Sequence, residues 1–152
     1  LGGTLFAQVA LTACSEWLWS GWPARYPDLK IAMSEGGIGW VAMLADRLDN
    51  LMARSGYGQG WPAKDCTPSE ALRRNFWFCM IDDPSTISTR HAIGVENILF
   101  ESDYPHGDGT WPDTQQVMEN VLRDLPADEI RMITHENAAH LYGHPLPEVC
   151  LP

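Results

Sequence analysis

Basic residues are scarce: ten Lys and Arg stand against twenty Asp and Glu in a chain of 152 residues, a formal charge of −10. Apart from Arg73-Arg74 they are scattered singly. A surface of that sign repels phosphate backbones and anionic bilayers, so nucleic acid and membranes are not expected partners. Long apolar runs are missing too. The longest uncharged one, residues 4–14, falls short of the ~20 residues a bilayer span needs, and no basic segment precedes it to form a signal peptide. The expected compartment is the cytoplasm. The four cysteines, Cys14, Cys66, Cys79 and Cys150, form no C-x-x-C pair, which points to reduced thiols used for packing. No internal repeat or low-complexity tract occurs, and there is no initiator methionine. The start Leu1-Gly2-Gly3 suggests a piece of a longer chain.

What is present suits one domain with an ordinary core: the sequence is 45% hydrophobic and holds seven Trp. Residues 4–19 place Phe6, Val9, Ala10, Ala13 and Trp17 at helical spacing, and Gly21 and Pro23 close the pattern. After a turn at 25–28, residues 30–34 form a short apolar strand that ends at Glu35, with Gly36, Gly37 and Gly39 behind it. Trp40, Met43, Leu44, Leu48, Leu51 and Met52 then make a second helical stripe. Residues 55–68 have no period and read as a long loop. A capped helix start follows at Pro68-Ser69-Glu70, then a strand over 75–81 that runs into Asp82-Asp83. A modest helix over 84–93, a strand over 97–100, a helix over 113–125 and shorter helices over 127–134 and 137–142 complete the pattern.

Three βα units in a row, with strands apolar throughout rather than alternating, predict an α/β fold built on a parallel sheet covered by helices. In such folds the residues just past the strand ends gather on one rim. Here those are Glu35, Asp82 with Asp83, and Glu101 with Asp103. Carboxylates brought together raise one another's pKa unless a cation binds between them. The pattern therefore points to a metal or to general acid/base chemistry.

Each candidate has a plainer role beside the chemical one. Asp103 is a metal ligand or base, or an Asx residue in the turn before Pro105. Glu35 is a ligand or base, or complements a helix N-terminus. Asp82 and Asp83 read as helix N-cap chemistry before Pro84. His106, three residues beyond Asp103, is a proton shuttle or substrate contact, or a solvated loop histidine. His135 and His140 are five apart, about 140° around a helix, so they do not share a face; His140 and His144 straddle a helix end. Trp61 and Trp111, both in loops, are possible substrate walls.

The stretch E-S-D-Y-P-H, with Y-P-D-L-K-I-A-M-S-E-G-G-I-G-W upstream and T-H-E-N-A-A-H-L-Y-G downstream, resembles the amidohydrolase superfamily, and within it the group related to aminocarboxymuconate semialdehyde decarboxylase. The resemblance covers nearly the whole chain in order. It implies the C-terminal part, about three βα units, of a metal-dependent-hydrolase (β/α)8 TIM barrel with zinc or manganese, so that residues 1–152 make up a single partial domain. It implies Asp103 as metal ligand and proton carrier. Glu35 stands where the family's sixth-strand motif carries histidine, so the resemblance makes it a second ligand or catalytic carboxylate of harder character. The expected substrate-binding residues are His106, Tyr104 and Trp111, from their places in the rim loops, and Arg47, which lies close to a family arginine that reaches a neighbouring subunit; that resemblance implies a homodimer at full length. Asn137 falls in the family's terminal N-A-x-x-L motif, a structural position. The H-x-H pair of the first strand and the histidine of the fifth have no equivalent in this sequence.

The expected function is hydrolysis or non-oxidative decarboxylation of a small carboxylated or cyclic substrate, with only part of the active site in this chain. An isolated piece of this kind is expected to bind metal poorly and to show little activity. The competing expectations are a metal-free, non-catalytic relative, and a small acidic doubly wound phospho-acceptor module using Asp82 or Asp83. The second lacks the usual lysine after the last strand, since Lys30 and Lys64 are the only lysines and both precede the second strand.

Overall fold

The computed structural model describes residues 2–54 and 58–146. After a 3-10 turn at Gly3–Leu5 come α1 (Phe6–Trp19), a one-turn α2 (Trp22–Arg25), β1 (Ile31–Met33), α3 (Val41–Ala53), α4 (Pro68–Asn75), β2 (Phe76–Met80), α5 (Arg90–Ile93) and β3 (Ile98–Phe100). Then follow α6 (Thr114–Leu122) and α7 (Ala127–Arg131), which continues through a π-helical turn at Met132–Glu136 into α8 (Asn137–Tyr142).

The three strands form one parallel sheet in the sequential order β1-β2-β3. Ile31 faces Phe76, and Phe78 faces Ile98. Because side chains alternate along a strand, Ile31, Met33, Phe76, Phe78, Met80 and Ile98 share one sheet face, and Ala32, Trp77, Cys79 and Leu99 share the other. The first face carries the main core: Cys14 and Leu18 of α1, Val41, Leu44 and Leu48 of α3, Leu72 of α4, and Leu122 of α6 all pack into the same cluster as Phe76, Phe78 and Ile98. The second face holds a smaller cluster in which Leu141 of α8 meets Trp77, Cys79 and Leu99.

Helices therefore layer mainly on one side of the sheet. All five residues of β2 are buried, as its unbroken apolar run requires. Expectation and structure part at β1, where Ala32 is exposed and Ile31 and Met33 are half-buried. β1 is an edge strand with one face open.

Local sequence explains most element boundaries. Thr67 accepts from Glu70 N–H while Glu70 accepts from Thr67 N–H, a closed capping box with Pro68 in the first turn of α4. α1 is where periodicity misleads. Its core side is Ala10, Cys14 and Leu18, whereas Phe6, Val9 and Trp17 of the expected stripe are exposed, Val9 by 64%. Residues 84–93 form no single helix; a 3-10 turn at Ile87–Thr89 leads into the one turn of α5. The two helices expected over 127–134 and 137–142 are one rod joined by the π-turn. Trp61 is buried, donates Nε1–H to Cys66 O and meets Trp19 edge-on at 5.7 Å, so it is a core residue and no substrate wall. Cys14, Cys66 and Cys79 are free thiols, and burial pushes the Cys14 and Cys79 thiols up to about 12; Cys150 lies outside the described residues.

Candidate functional site

The backbone marks two positions. Among the described residues the only non-glycine residues with positive φ are Glu35, at 58°, and Asp103, at 54°. The left-handed region is disfavoured for residues with a Cβ, and such conformations collect where structure around them enforces a function. Glu35 stands two residues beyond β1 and Asp103 three beyond β3, so both occupy the rim formed by the C-terminal ends of a parallel sheet.

Asp103 is held by its own loop. His106 N–H donates to Asp103 O at 2.8 Å, and His106 Nδ1 lies 2.8 Å from Asp103 Oδ2. Asp108 contacts the same nitrogen through Oδ1. The Asp103 side chain is 15% exposed, against 61% for His106 and 69% for Asp108. The hydrogen bond to Asp103, then the charges of Asp108 and Asp103 and a smaller contribution from Glu35, hold the imidazole above its ordinary pKa. Glu35 therefore acts electrostatically on the loop of Asp103, although the two are 68 residues apart in sequence. Gly109 closes the loop: a Cβ there would stand 2.7 Å from both Ser102 O and Asp103 O, so only glycine lets the chain return beneath Asp103.

The turn carrying Glu35 is tied to the other two strand ends. Glu101, the first residue past β3, accepts Glu35 N–H through Oε2 at 2.9 Å. Asp83, past β2, accepts the backbone N–H of Ile81 at 3.4 Å, and the backbone N–H of Ile38 bears on its carboxyl, holding its pKa down against burial. Gly37 adopts φ 63°, and a side chain there would meet Asp83 Oδ1 at 3.0 Å. Burial, ahead of any other cause, holds Asp83 above its usual pKa, with the charge of Asp82 adding to it. Asp83 is therefore a bracket between two loops rather than the N-cap the sequence suggests, and its carboxylate is engaged. Asp82 is exposed.

Of the residues singled out in the sequence, Asp103, His106, Glu35, Tyr104 and Trp111 share this rim. Tyr104 and Trp111 form an edge-on aromatic pair at 5.5 Å, with Trp111 66% exposed. Arg47 lies exposed within α3, and no hydrogen bond or ion pair among the described residues joins it to the rim loops. Asp108 is the residue sequence reading passes over; its position two residues after His106, between Gly107 and Gly109, is the available signal. Asp103, His106 and Asp108 form the one group of three among the described residues whose ligand atoms all lie within 4.8 Å of one another. An imidazole with two carboxylates is a donor set that zinc and manganese accept, so the residues present fit a divalent cation.

A helix layer mainly on one side of sequentially ordered parallel strands, with left-handed carboxylate residues past their C-terminal ends, defines an α/β fold with an acidic rim. The family model described as "Amidohydrolase" matches residues 5–144, and the chain belongs to that family. A crystal structure of an amidohydrolase from Mycobacterium avium subsp. paratuberculosis K-10 superposes with a TM-score of 0.70 at 30% identity over 84% of this chain. The chain spans only 32% of the length of that protein. No curated protein matches the sequence. Among the described residues no helix is long and apolar enough to cross a membrane.

Proposed function

We propose that this chain is the C-terminal three βα units of a (β/α)8 barrel and carries part of the site of a metal-dependent hydrolase or non-oxidative decarboxylase. The observation that carries the reading is the pairing of Glu35 and Asp103, both left-handed, on one rim. Family membership, sequential strand order and the uncovered edge of β1 support it. A doubly wound phospho-acceptor module would carry substantial helix layers on both faces and a lysine after the last strand, whereas only α8 contributes to the small cluster on the second face of this sheet and both lysines precede β2.

The divalent metal, zinc or manganese, would be held by Asp103 with Glu35 or Asp108 and with ligands from the remainder of the barrel; bound, it would supply Lewis acidity toward a substrate oxygen or a water. Asp103 carries the proton between water and substrate, from a position its loop fixes. His106 orients Asp103 through Nδ1, and its charge favours a carboxylated substrate. Tyr104 and Trp111 form an apolar wall wide enough for a small cyclic molecule. Glu35 is the second carboxylate, as ligand or base. On this reading the substrate is a small molecule, the compartment is the cytoplasm, and the full-length protein is a homodimer in which Arg47 serves the neighbouring site.

The test is Asp103→Asn in the full-length protein. Activity should fall at least a thousandfold while circular dichroism and bound-metal content are measured alongside. A folded variant that retains activity refutes the assignment, and absence of metal from the active wild type favours the metal-free relative.

A further inference from the structure

We propose that Glu101 is the positioning residue of this rim: its carboxylate reaches across the end of β2 and fixes the left-handed backbone of Glu35 for its role in the site. The inference rests on the functional reading of Glu35 above. Glu101 N–H donates to Met80 O at 2.9 Å, continuing the β2–β3 ladder by one residue, so the base of this side chain is part of the sheet. Alternation places its side chain on the face of Leu99 and Cys79.

From there Oε2 meets Glu35 N–H at 2.9 Å, bridging β3 to β1 over the strand between them. Two strand spacings are about 9–10 Å, a gap that a glutamate can help close and a side chain one methylene shorter cannot. Ser34, the residue before Glu35, has its Oγ 3.9 Å from Cys79 Sγ, and the charge of Glu101 contributes to the rise of the Cys79 thiol. Asp83 holds the far end of the same turn at Ile38. Of the two brackets, only Glu101 acts on the residue that carries the candidate chemistry.

The pairing gives Glu101 a signature that a purely structural residue lacks. In the 15N-labelled 152-residue chain, Glu101→Ala should speed hydrogen exchange of the Glu35 amide at least tenfold and shift its resonance, leaving the Ile98 amide in β3 unchanged. Glu101→Gln keeps an acceptor oxygen at full reach and should retain most of the protection; Glu101→Asp is too short and should not. In the full-length protein the same order, Gln above Asp and Ala, should appear in kcat with KM within threefold, and Glu35→Gln should lower kcat at least as far as Glu101→Ala.

An unchanged Glu35 amide in both Glu101→Ala and Glu101→Asp overturns the proposal. So does a released amide with kcat intact where Glu35→Gln is inactive. Full activity in Glu35→Gln overturns the functional reading itself and leaves Glu101 with nothing to position.

Discussion

Three buried asparagines do work that no hydrophobic residue could. Asn75 Nδ2 donates to Leu29 O at 2.6 Å and to Pro27 O at 3.0 Å, on the segment entering β1. Asn97 Nδ2 donates to Arg73 O and Phe76 O, where β2 begins. Asn137 Nδ2 donates to Val95 O and Ile98 O, where β3 begins. Each amide satisfies carbonyls that would otherwise be buried unpaired. Asn137→Ala should therefore destabilise the chain by about 2 kcal/mol or more, read as a lower urea midpoint at unchanged slope; a loss under about 0.5 kcal/mol would contradict it. Asp83 makes a pH-dependent prediction. Its folded pKa is raised above the unfolded value, so folding favours its neutral form, and the stability it contributes is present at low pH and lost as pH rises through the folded pKa. Asp83→Asn keeps an acceptor for Ile81 and Ile38 without the charge, so its Tm advantage over wild type should widen from pH 4 to pH 7. A gap that narrows over that range would reverse the sign.

Among the elements, the loop after β3 was the most legible and α1 the least. Strand, acid, proline and glycines in 97–109 announce a rim turn, and in the structure that loop brings His106 Nδ1 to 2.8 Å from Asp103 Oδ2. Gly109→Ala tests the tightness of the turn: the added methyl collides with backbone oxygens rather than a flexible side chain. It should cut activity of the full-length protein at least tenfold while costing about 1–3 kcal/mol of stability. Wild-type activity in that variant would show that Asp103 tolerates displacement. α1 is apolar nearly all round, and periodicity in such a helix does not say which side meets the sheet. The buried choice of Ala10, Cys14 and Leu18 is made by small and branched residues fitting over β1 and α4, a tertiary fact absent from the spacing. Asp108, Glu101 and Asp83 were equally hard to assign, since an acid that brackets a loop and an acid that does chemistry look the same until the backbone donors are located.

At the scale of the whole molecule the parallel strands and the gathering of strand-end acids on one rim were readable in the sequence, because three apolar strands each followed by acid and helix point to βα units; the sequential strand order is what the structure adds. What could not be read was which surfaces stay open. Phe6 and Val9 on α1 lie exposed beside Ala32 of β1, and Trp17 is exposed further along the same helix, an apolar surface next to an unpaired strand edge, the combination that drives association. In light scattering the 152-residue chain should self-associate as its concentration rises from micromolar to millimolar, and Val9→Glu with Trp17→Glu should suppress this without lowering the urea midpoint. A wild-type chain that stays monomeric over that range would contradict the reading.

The parallel register of the sheet also sets an order of events. Phe78 and Ile98 are partners 20 residues apart, whereas Ile31 and Phe76 are 45 apart. Closing the longer loop costs about 0.7 kcal/mol more in chain entropy, and Asn97 already ties its own segment to Phe76 O. Chain entropy thus favours closing the β2–β3 pair first, an order in which Glu101 would be in place before Glu35 arrives to meet it.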